Sequence, residues 1–292
     1  MYELFFNEKY QGFDRETPFD FSRRSSIGCG GKAALAFYPK TVEELAFLAR
    51  ELSMDGIPFY TLGNLTNVLP CEGAIDKAIV CTRKMRLETN ESRFFSVGVS
   101  ATALLSVCQR QGLSGAEFLA GIPCTLGGAL YMNAGVSGRY IAEIVDSVRV
   151  LYRGKITTLS QQDCRFSYKK SVFMDEDCVL LGATLRLVDS TQSQIRENVE
   201  TYQRRRAHLP KGKSMGCVFK NPYSVTAGEL IERAGLKGLR SGGAKVSQEH
   251  ANFIINDDNA TADDIRTLIT AIKKAVFAQH NVRLEEEIRY LT

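Results

Sequence analysis

The stretch Gly216-Cys217-Val218-Phe219-Lys220-Asn221-Pro222 brings a thiol, a cation and an amide together within a few residues. Glycine lets the backbone adopt a positive φ or approach a ligand closely, and proline prevents regular structure from continuing. The stretch therefore predicts a short, rigid segment that presents Cys217. Taken alone, the pattern favours a turn with a buried cysteine, because free cysteine is among the most buried residue types. The rest of the chain decides whether the thiol has a chemical role.

The composition is that of a soluble globular protein. The residues are 44% hydrophobic and 24% charged, which is ordinary for a globular protein. The length of 292 residues is enough for one large domain or two to three small ones. The net charge is only +4, and the one basic cluster, Arg204-Arg205-Arg206, is typical of a helix end rather than of a nucleic-acid patch. The N-terminus, Met1-Tyr2-Glu3-Leu4, does not have the pattern of a signal peptide, and no apolar run approaches the length of a membrane span. We therefore expect a cytoplasmic protein that binds neither nucleic acid nor membrane. A monomer is also expected, although none of these patterns determines the oligomeric state.

The cysteines and histidines predict no metal site. None of the eight cysteines belongs to a CxxC pair or a Cys/His cluster, and the three histidines are scattered. In a cytosolic chain of this length, the cysteines are expected to be reduced thiols rather than a disulfide framework or zinc ligands.

Residues 34–62 predict a βαβ unit. A strand over 34–38 precedes a helix that opens with a capping box, Thr41 with Glu44, and ends at Gly56 before a strand over 57–62. The apolar stripe of the helix consists of Val42, Leu45, Leu48 and Leu52. The second strand leads directly into Gly63-Asn64-Leu65-Thr66-Asn67, whose backbone N–H groups and hydroxyl can contact an anion.

A second glycine-rich stretch, Gly121–Gly135, favours a cofactor site. It is dense in Gly and Ala and has few charges, so the backbone can approach a flat, bulky ligand and its amides can contact phosphates. A tightly packed helix and turn is the alternative. The cofactor site is favoured because each glycine in a helix costs up to about 1 kcal/mol relative to alanine.

The remaining patterns predict further strands and helices. Strands are expected over 78–81, 94–99, 147–152, 179–187 and 252–256, and helices over 100–112, from 194 to before Pro210, over 227–235 and from 261 onwards. The last helix opens with the capping box Thr261–Asp264. The alternation over 216–280 indicates an α+β unit. Taken alone, the loop Phe166–Phe173 and the acidic run in Leu284–Arg289 are typical of solvated surface.

Together these stretches resemble the UDP-N-acetylenolpyruvoylglucosamine reductase family over nearly the whole chain. The resemblance rests on blocks at 27–33, 63–67, 115–123, 127–135, 216–222, 234–238, 242–247, 250–256 and 284–289, in the order of the family. It implies an α+β fold, with a two-lobed FAD-binding module of the PCMH/vanillyl-alcohol-oxidase type and an α+β substrate-binding domain. The expected boundaries are 1–75 for the first lobe, 76–203 with a returning strand at 283–292 for the second, and 204–282 for the substrate domain. The short connection between Phe173 and Val179 resembles the shorter form of the family, which lacks an extra substrate-capping loop.

The resemblance also implies an activity. Members of the family use NADPH and FAD to reduce UDP-N-acetylglucosamine enolpyruvate to UDP-N-acetylmuramate in peptidoglycan precursor synthesis. Cys217 matches the position of the proton donor, which is usually a serine, and a thiol with a pKa near 8.5 is a competent acid. Glu287 matches the catalytic glutamate that steadies the enolate or relays a proton, and Lys169 matches a catalytic cation.

The other site residues are carried over in the same way. The implied cofactor contacts are Gly63, Asn64, Thr66, Asn67, Gly121, Pro123, Thr125, Gly127, Gly128, Ala129, Asn133, Ala134 and Gly135. The implied substrate contacts are Tyr168, Asn221 and Arg289.

The sequence departs from the family pattern at three positions, and the changes at Lys169 and Leu65 leave alternatives open, whereas the change at Cys124 is milder. Lys169 stands in place of an arginine and lacks its bidentate fork, Leu65 interrupts a glycine-rich loop that favours left-handed backbone, and Cys124 replaces a glycine. A different flavoprotein with the same FAD module, such as a small-alcohol or sugar oxidase, is one alternative. A non-catalytic paralogue that binds flavin or a UDP-sugar is the other. The C-terminal blocks favour the reductase over the oxidase.

Overall fold

The computed structural model describes residues 8–87 and 93–292. Residues 1–4, on which the expectation of no signal peptide rests, lie outside that range. The chain forms two compact units. The first comprises the described parts of Met1–Thr17, Leu35–Asn64 and Lys77–Ala207, and the second comprises Pro18–Ala34, Leu65–Asp76 and His208–Thr292. The three-part division of the chain stays a prediction.

The α-helices of the described residues are α1 (Phe21–Arg24), α2 (Val42–Met54), α3 (Ala101–Gln111), α4 (Leu126–Met132), α5 (Gln192–Arg206), α6 (Ala227–Arg233) and α7 (Ala262–His280). The strands are β1 (Asp14–Glu16), β2 (Phe19–Asp20), β3 (Lys32–Ala33), β4 (Ala36–Tyr38), β5 (Phe59–Leu62), β6 (Val68–Pro70), β7 (Ala74–Ile75), β8 (Ala78–Cys81), β9 (Phe94–Ser96), β10 (Leu113–Ser114), β11 (Gly135–Val136), β12 (Arg139–Tyr140), β13 (Val145–Tyr152), β14 (Lys155–Ser160), β15 (Cys178–Leu185), β16 (Val188–Asp189), β17 (Ser214–Cys217), β18 (Arg240–Ser241), β19 (Ala244–Val246), β20 (Phe253–Asn256) and β21 (Arg289–Leu291).

The first unit contains the predicted βαβ arrangement. Its first sheet has the order β1-β4-β8-β5, in which β4 and β5 both pair in parallel with β8 and are connected through α2. All four residues of the predicted apolar stripe of α2 are buried. The capping box is only half formed. The Thr41 hydroxyl accepts the N–H of Glu44 at 3.1 Å, but the Glu44 carboxylate accepts the N–H of Lys40 at 2.7 Å rather than that of Thr41.

The second sheet of the first unit is antiparallel, in the order β14-β13-β15-β9. The predicted helix over 100–112 is α3, capped by the Ser100 hydroxyl and ended by Gly112 at φ 67°. The predicted strand over 94–99 is shorter, because the Val97 and Val99 carbonyls accept N–H groups from the start of α4 instead of continuing a sheet. Helix α5 ends at Arg206, which confirms the predicted role of the arginine cluster.

The second unit is built on the antiparallel sheet β17-β20-β19-β18. Helix α7 packs on β18 and β19 and begins with the predicted capping box between Thr261 and Asp264. The last strand, β21, pairs in parallel with β6, within residues that the sequence assigns to the first lobe. The core of this unit includes Met215, Val218, Phe219, Ile254, Ile265 and Ile272.

Three further features concern the described residues alone. No helix within 8–87 and 93–292 has the length and apolar character to span a bilayer. The same residues contain no cluster of three His, Cys, Asp or Glu side chains that could hold a metal ion. The eight cysteines are free thiols.

Candidate functional site

In the first unit, the loop after β5 has the features of an anion-binding turn. Among the described residues, no acceptor is found for the backbone N–H groups of Gly63 and Asn64. A Cβ on Gly63 would lie 2.3 Å from Oγ1 of Thr125, so only glycine fits there. The Asn64 side chain donates to the carbonyl of Pro123 at 3.1 Å. These contacts bring together four of the predicted cofactor residues.

The neighbouring loop, Gly121–Thr125, is held by α5. Gly121 has φ 78°, and its carbonyl accepts a hydrogen bond from Nε of Arg206 at 3.2 Å. Cys124 is outside the left-handed region, so its backbone conformation does not require the glycine of the family. Burial raises the pKa of the Cys124 thiol to about 12, which keeps this thiol protonated and unreactive.

The first N–H groups of α4 are already used within the unit. Leu126 and Gly127 donate to the carbonyls of Val99 and Val97 at 2.8 and 2.9 Å, and Gly128 donates to the Thr125 hydroxyl at 3.2 Å. The expectation that amides here contact phosphates is therefore wrong for these groups. Gly127 instead allows close packing, since a Cβ would lie 3.1 Å from Cβ of Val97. The assignment of Gly127, Gly128 and Ala129 as cofactor contacts stays a prediction.

Asn133, predicted as a cofactor contact, ends α4 and joins three segments. It adopts the left-handed region at φ 43°. Its amide donates to the carbonyl of Ser167 at 2.8 Å and accepts the N–H of Ala142 at 3.2 Å. Two predicted neighbours, Ala134 and Gly135, follow it, and a Cβ on Gly135 would lie 2.3 Å from the carbonyl oxygen of Arg139. Asn133 thus anchors the loop that carries Tyr168 and Lys169, a role that its sequence position did not indicate.

Tyr168 and Lys169 form the tip of a tight turn. The backbones of Ser167 and Lys170 exchange hydrogen bonds of 3.0 and 3.1 Å around them. Lys169 has φ 55°, a conformation that is strained for a residue with a side chain. The buried Ser171 hydroxyl holds the far end of the turn by donating to the Tyr131 carbonyl at 2.7 Å. The turn is thus fixed by hydrogen bonds at both ends, and Ser167, Tyr168 and Lys170 are exposed, as expected of a solvated turn.

In the second unit, the segment after Gly63-Asn64 is tied to the C-terminal strand. Asn67 donates from its side chain to the carbonyl of Glu287 at 3.2 Å, and its own carbonyl accepts the N–H of Arg289 at 3.0 Å. Thr66 precedes it and is half-buried. Leu65 adopts φ 54° and is 4% exposed, so burial of its side chain offsets the strain expected there.

Cys217 lies at the end of a strand with a β-bulge. Between the pairs Ser214–Ile255 and Cys217–Phe253 the register of β17 shifts by one residue. Gly216 has φ 75° at this point, and a Cβ there would meet nothing within 4 Å, so the conformation rather than space requires glycine. The Cys217 residue is half-buried. The expectation of a buried cysteine, drawn from this stretch alone, is therefore wrong.

The acidic C-terminal run pairs directly with the Cys217 segment. The carbonyl of Val218 accepts the N–H of Glu287 at 2.8 Å, and Lys220 N–H donates to the carbonyl of Glu285 at 2.8 Å. This backbone pairing fixes the residues that follow Cys217 against the residues that precede Arg289.

Two acidic side chains of this run are also paired. Glu285 is exposed, as expected of solvated surface, whereas Glu286 is half-buried. Glu285 accepts from Lys220 at 3.0 Å, and Glu286 accepts from Lys273 at 2.7 Å and from Tyr290 at 2.6 Å. Burial acts to raise the pKa of Glu286, but these two hydrogen bonds outweigh it and hold the pKa below its usual range.

The two predicted substrate contacts of this unit are exposed. Asn221 uses its side-chain oxygen to accept the N–H of Ala227 at 3.0 Å, which orders the chain before α6. Arg289 is exposed at the start of β21. The second unit thus carries Cys217, Asn221, Glu287 and Arg289 on one connected framework.

Comparison with known proteins identifies the class of protein to which this chain belongs. Residues 33–160 match the family described as "FAD binding domain", and residues 207–291 match the family described as "UDP-N-acetylenolpyruvoylglucosamine reductase, C-terminal domain". The chain is therefore a flavoprotein-type oxidoreductase with an FAD-binding module and an α+β C-terminal domain, which confirms the predicted fold class. The N–H groups of Gly63 and Asn64, which have no acceptor within the described part of the chain, and the lack of room for a side chain at Gly63 fit this cofactor.

Known proteins that match this chain over nearly its full length identify the family more specifically. The chain is 39% identical over 272 residues to a UDP-N-acetylenolpyruvoylglucosamine reductase from Moorella thermoacetica, covering 91% of this chain and 90% of that protein. A Clostridioides difficile protein of the same name is 38% identical over 275 residues, at 91% and 90% coverage. The crystal structure of UDP-N-acetylenolpyruvylglucosamine reductase from Thermus caldophilus matches with a TM-score of 0.82 at 30% identity, over 96% of this chain and 99% of that one. The chain belongs to the UDP-N-acetylenolpyruvoylglucosamine reductase family, as the sequence predicts.

Proposed function

We propose that this protein catalyses the NADPH-dependent reduction of UDP-N-acetylglucosamine enolpyruvate to UDP-N-acetylmuramate, the reaction that supplies a peptidoglycan precursor. The observation that carries the proposal is the backbone hydrogen bond between Val218 and Glu287. It places the two predicted catalytic residues of the second unit on directly paired segments. Membership of the family supports the choice of substrate.

The chemistry requires a hydride, a proton and charge compensation. FAD, when bound, supplies hydride transfer from NADPH to the enolpyruvyl double bond. Addition of a hydride beside a carboxylate builds negative charge on the substrate, so cations must lie near that carboxylate and an acid must protonate the adjacent carbon. We assign the proton to the Cys217 thiol and the charge compensation to Lys169 and Arg289.

We propose the remaining roles from the family resemblance. Glu287 steadies the enolate-like charge distribution or relays the proton to Cys217, and its backbone is fixed by Val218 and Asn67. Asn221 and Tyr168 contact the substrate.

The FAD contacts are proposed at the positions implied by the family. The N–H groups of Gly63 and Asn64 donate hydrogen bonds to the phosphate oxygens. The other contacts are Thr66, Asn67, Gly121, Pro123, Thr125, Gly127, Gly128, Ala129, Asn133, Ala134 and Gly135. For Asn133 the proposal is restricted to its backbone, because its side chain is engaged with Ser167 and Ala142. We also propose that the protein acts in the cytoplasm as a monomer.

A substrate-dependence assay tests the proposal. The purified protein should be yellow and should oxidise NADPH only when UDP-N-acetylglucosamine enolpyruvate is present. NADPH oxidation that depends on oxygen and is indifferent to the enolpyruvyl sugar would favour an oxidase. A colourless protein that cannot be loaded with FAD would contradict both enzymatic assignments and favour a binding paralogue.

A further inference from the structure

Asn252, directly before β20, makes an unusual set of hydrogen bonds to the residues that follow Cys217. Its backbone carbonyl accepts the N–H of Val218 at 2.8 Å. Its side-chain Oδ1 accepts the N–H of Phe219 at 2.9 Å, and its Nδ2 donates to the carbonyl of Phe219 at 2.8 Å. One residue thus satisfies three backbone groups of the Val218–Phe219 pair.

These bonds are buried. Asn252 is 2% exposed, and Val218 and Phe219 are 0% and 1% exposed. A buried N–H or C=O group without a partner is destabilising, so the side chain of Asn252 takes the place of a neighbouring strand where the pairing of β17 with β20 ends. It allows the chain to leave the sheet at Cys217 without leaving the Phe219 backbone unsatisfied.

The same segment is held on its other side by the C-terminal run. Glu287 donates its N–H to the Val218 carbonyl at 2.8 Å, and Phe219 forms an isolated antiparallel bridge with Glu286. Cys217 and Glu287 are therefore separated by one peptide unit and one hydrogen bond. Any displacement of Val218 and Phe219 therefore moves the Cys217 thiol relative to the Glu287 carboxylate.

We propose that Asn252 is a positioning residue, whose side-chain amide fixes the Cys217 thiol for proton delivery. This inference rests on the proposed function, because it assigns Asn252 a part in the protonation step. Displacement of a reacting group by about 1 Å can lower a rate about a hundredfold. The amide of Asn252 therefore has a kinetic consequence beyond its contribution to stability.

The chain offers a matched control in Asn256, at the other end of β20. Asn256 is also buried, at 7% exposure, and its side chain also bonds backbone groups, donating to Ile27 at 2.9 Å and accepting from Ala260 at 2.8 Å. Its side-chain hydrogen bonds do not involve residues 217–219. The Asn256→Ala substitution therefore removes a comparable set of buried side-chain hydrogen bonds at the opposite end of β20.

The experiment measures the two half-reactions of the FAD-loaded protein separately by stopped-flow absorbance. In Asn252→Ala, reoxidation of the NADPH-reduced protein by UDP-N-acetylglucosamine enolpyruvate should slow by about tenfold to a hundredfold, and reduction by NADPH should stay within about twofold of wild type. Asn256→Ala should leave both rates within about twofold. In a Cys217→Ala background, Asn252→Ala should add no further slowing, because residues that act as a unit are not additive. Equal slowing by the two asparagine variants, or a full additional effect in the Cys217→Ala background, would overturn the proposal.

A second readout does not depend on turnover. Alkylation of Cys217 by iodoacetamide, followed by mass spectrometry of its peptide, should become several-fold faster in Asn252→Ala and not in Asn256→Ala, because the loosened segment opens more often. An unchanged alkylation rate in Asn252→Ala contradicts the positioning role. Failure of wild type to reoxidise with the enolpyruvyl sugar contradicts the proposed function instead, and leaves this readout valid.

If Asn252→Ala does not fold, Asn252→Asp provides the test. Its carboxylate keeps the acceptor for Phe219 N–H, and its protonated form restores a donor to the Phe219 carbonyl. Its reoxidation rate relative to wild type should therefore rise as the pH falls. A flat or falling ratio would count against the proposal.

Discussion

Replacement of Gly216 by alanine measures the cost of the left-handed backbone conformation that precedes Cys217. Gly216 has φ 75°, and an added Cβ would meet nothing within 4 Å, so no steric clash contributes. A left-handed conformation costs an L-residue about 1–2 kcal/mol, and the reduced entropy of the unfolded chain returns about 0.4–1 kcal/mol. We therefore expect Gly216→Ala to lower the free energy of unfolding by about 1 kcal/mol without abolishing the fold.

Urea denaturation of Gly216→Ala and of a matched variant, Gly56→Ala, measures this cost. Gly56 has φ 67° and equally open surroundings, but it follows α2 in the first unit. Both variants should lose about 1 kcal/mol, a midpoint shift of about 0.3–1 M urea for an m-value of about 1–3 kcal/mol/M. Only Gly216→Ala should change the rate at which iodoacetamide alkylates Cys217. If Gly216→Ala loses no stability, the left-handed conformation of residue 216 is not strained for alanine. A loss above about 3 kcal/mol would require a steric clash, which the open surroundings of Gly216 do not provide. Either result would contradict the assignment of the cost to backbone strain.

Two further predictions concern charge. Lys169→Arg restores the guanidinium fork that pairs with a carboxylate. In steady-state kinetics, the KM for the enolpyruvyl sugar should therefore fall about three- to tenfold with little change in kcat. An increase in KM would contradict the assignment of Lys169 to the substrate carboxylate. Burial, followed by the charges of His208 and Lys237, lowers the pKa of His250 below its ordinary value of 6.5, and Glu232 opposes them. His250 therefore binds a proton more readily in the unfolded chain than in the folded protein. The stability that neutral, buried His250 contributes is present above about pH 6.5 and is lost as the pH falls towards the folded-state pKa. In His250→Asn the free energy of unfolding should consequently decrease less between pH 7 and pH 5 than in wild type, and an identical pH dependence would show that His250 does not contribute.

Local patterns predicted most of the elements. The apolar period of α2 and the capping box of α7 depend on residues three or four apart, and both are found as the sequence predicts. The ends of strands were less predictable. Val97 and Val99 leave the sheet because their carbonyls meet the start of α4, a partner that is remote in sequence.

The site shows the same limit. The amide of Gly127 in α4 donates to the carbonyl of Val97, whose approach no local pattern reveals, whereas Gly128 donates to the hydroxyl of Thr125, a cap only three residues away. Asn252 was visible only as part of a buried strand, because its partner Phe219 lies 33 residues earlier in the chain. The positive φ of Lys169 and of Leu65 is likewise imposed by surrounding structure against the preference of each residue.

The proposed function depends on delivery of the proton by the Cys217 thiol in an FAD- and NADPH-dependent reduction. The most direct measurement is single-turnover reoxidation of the NADPH-reduced protein by UDP-N-acetylglucosamine enolpyruvate in wild type, Cys217→Ser and Cys217→Ala. Cys217→Ser should retain activity, whereas Cys217→Ala should slow reoxidation by about 10²–10⁴-fold while reduction by NADPH is unchanged. Reoxidation of Cys217→Ala at the wild-type rate would exclude the Cys217 thiol as the proton donor.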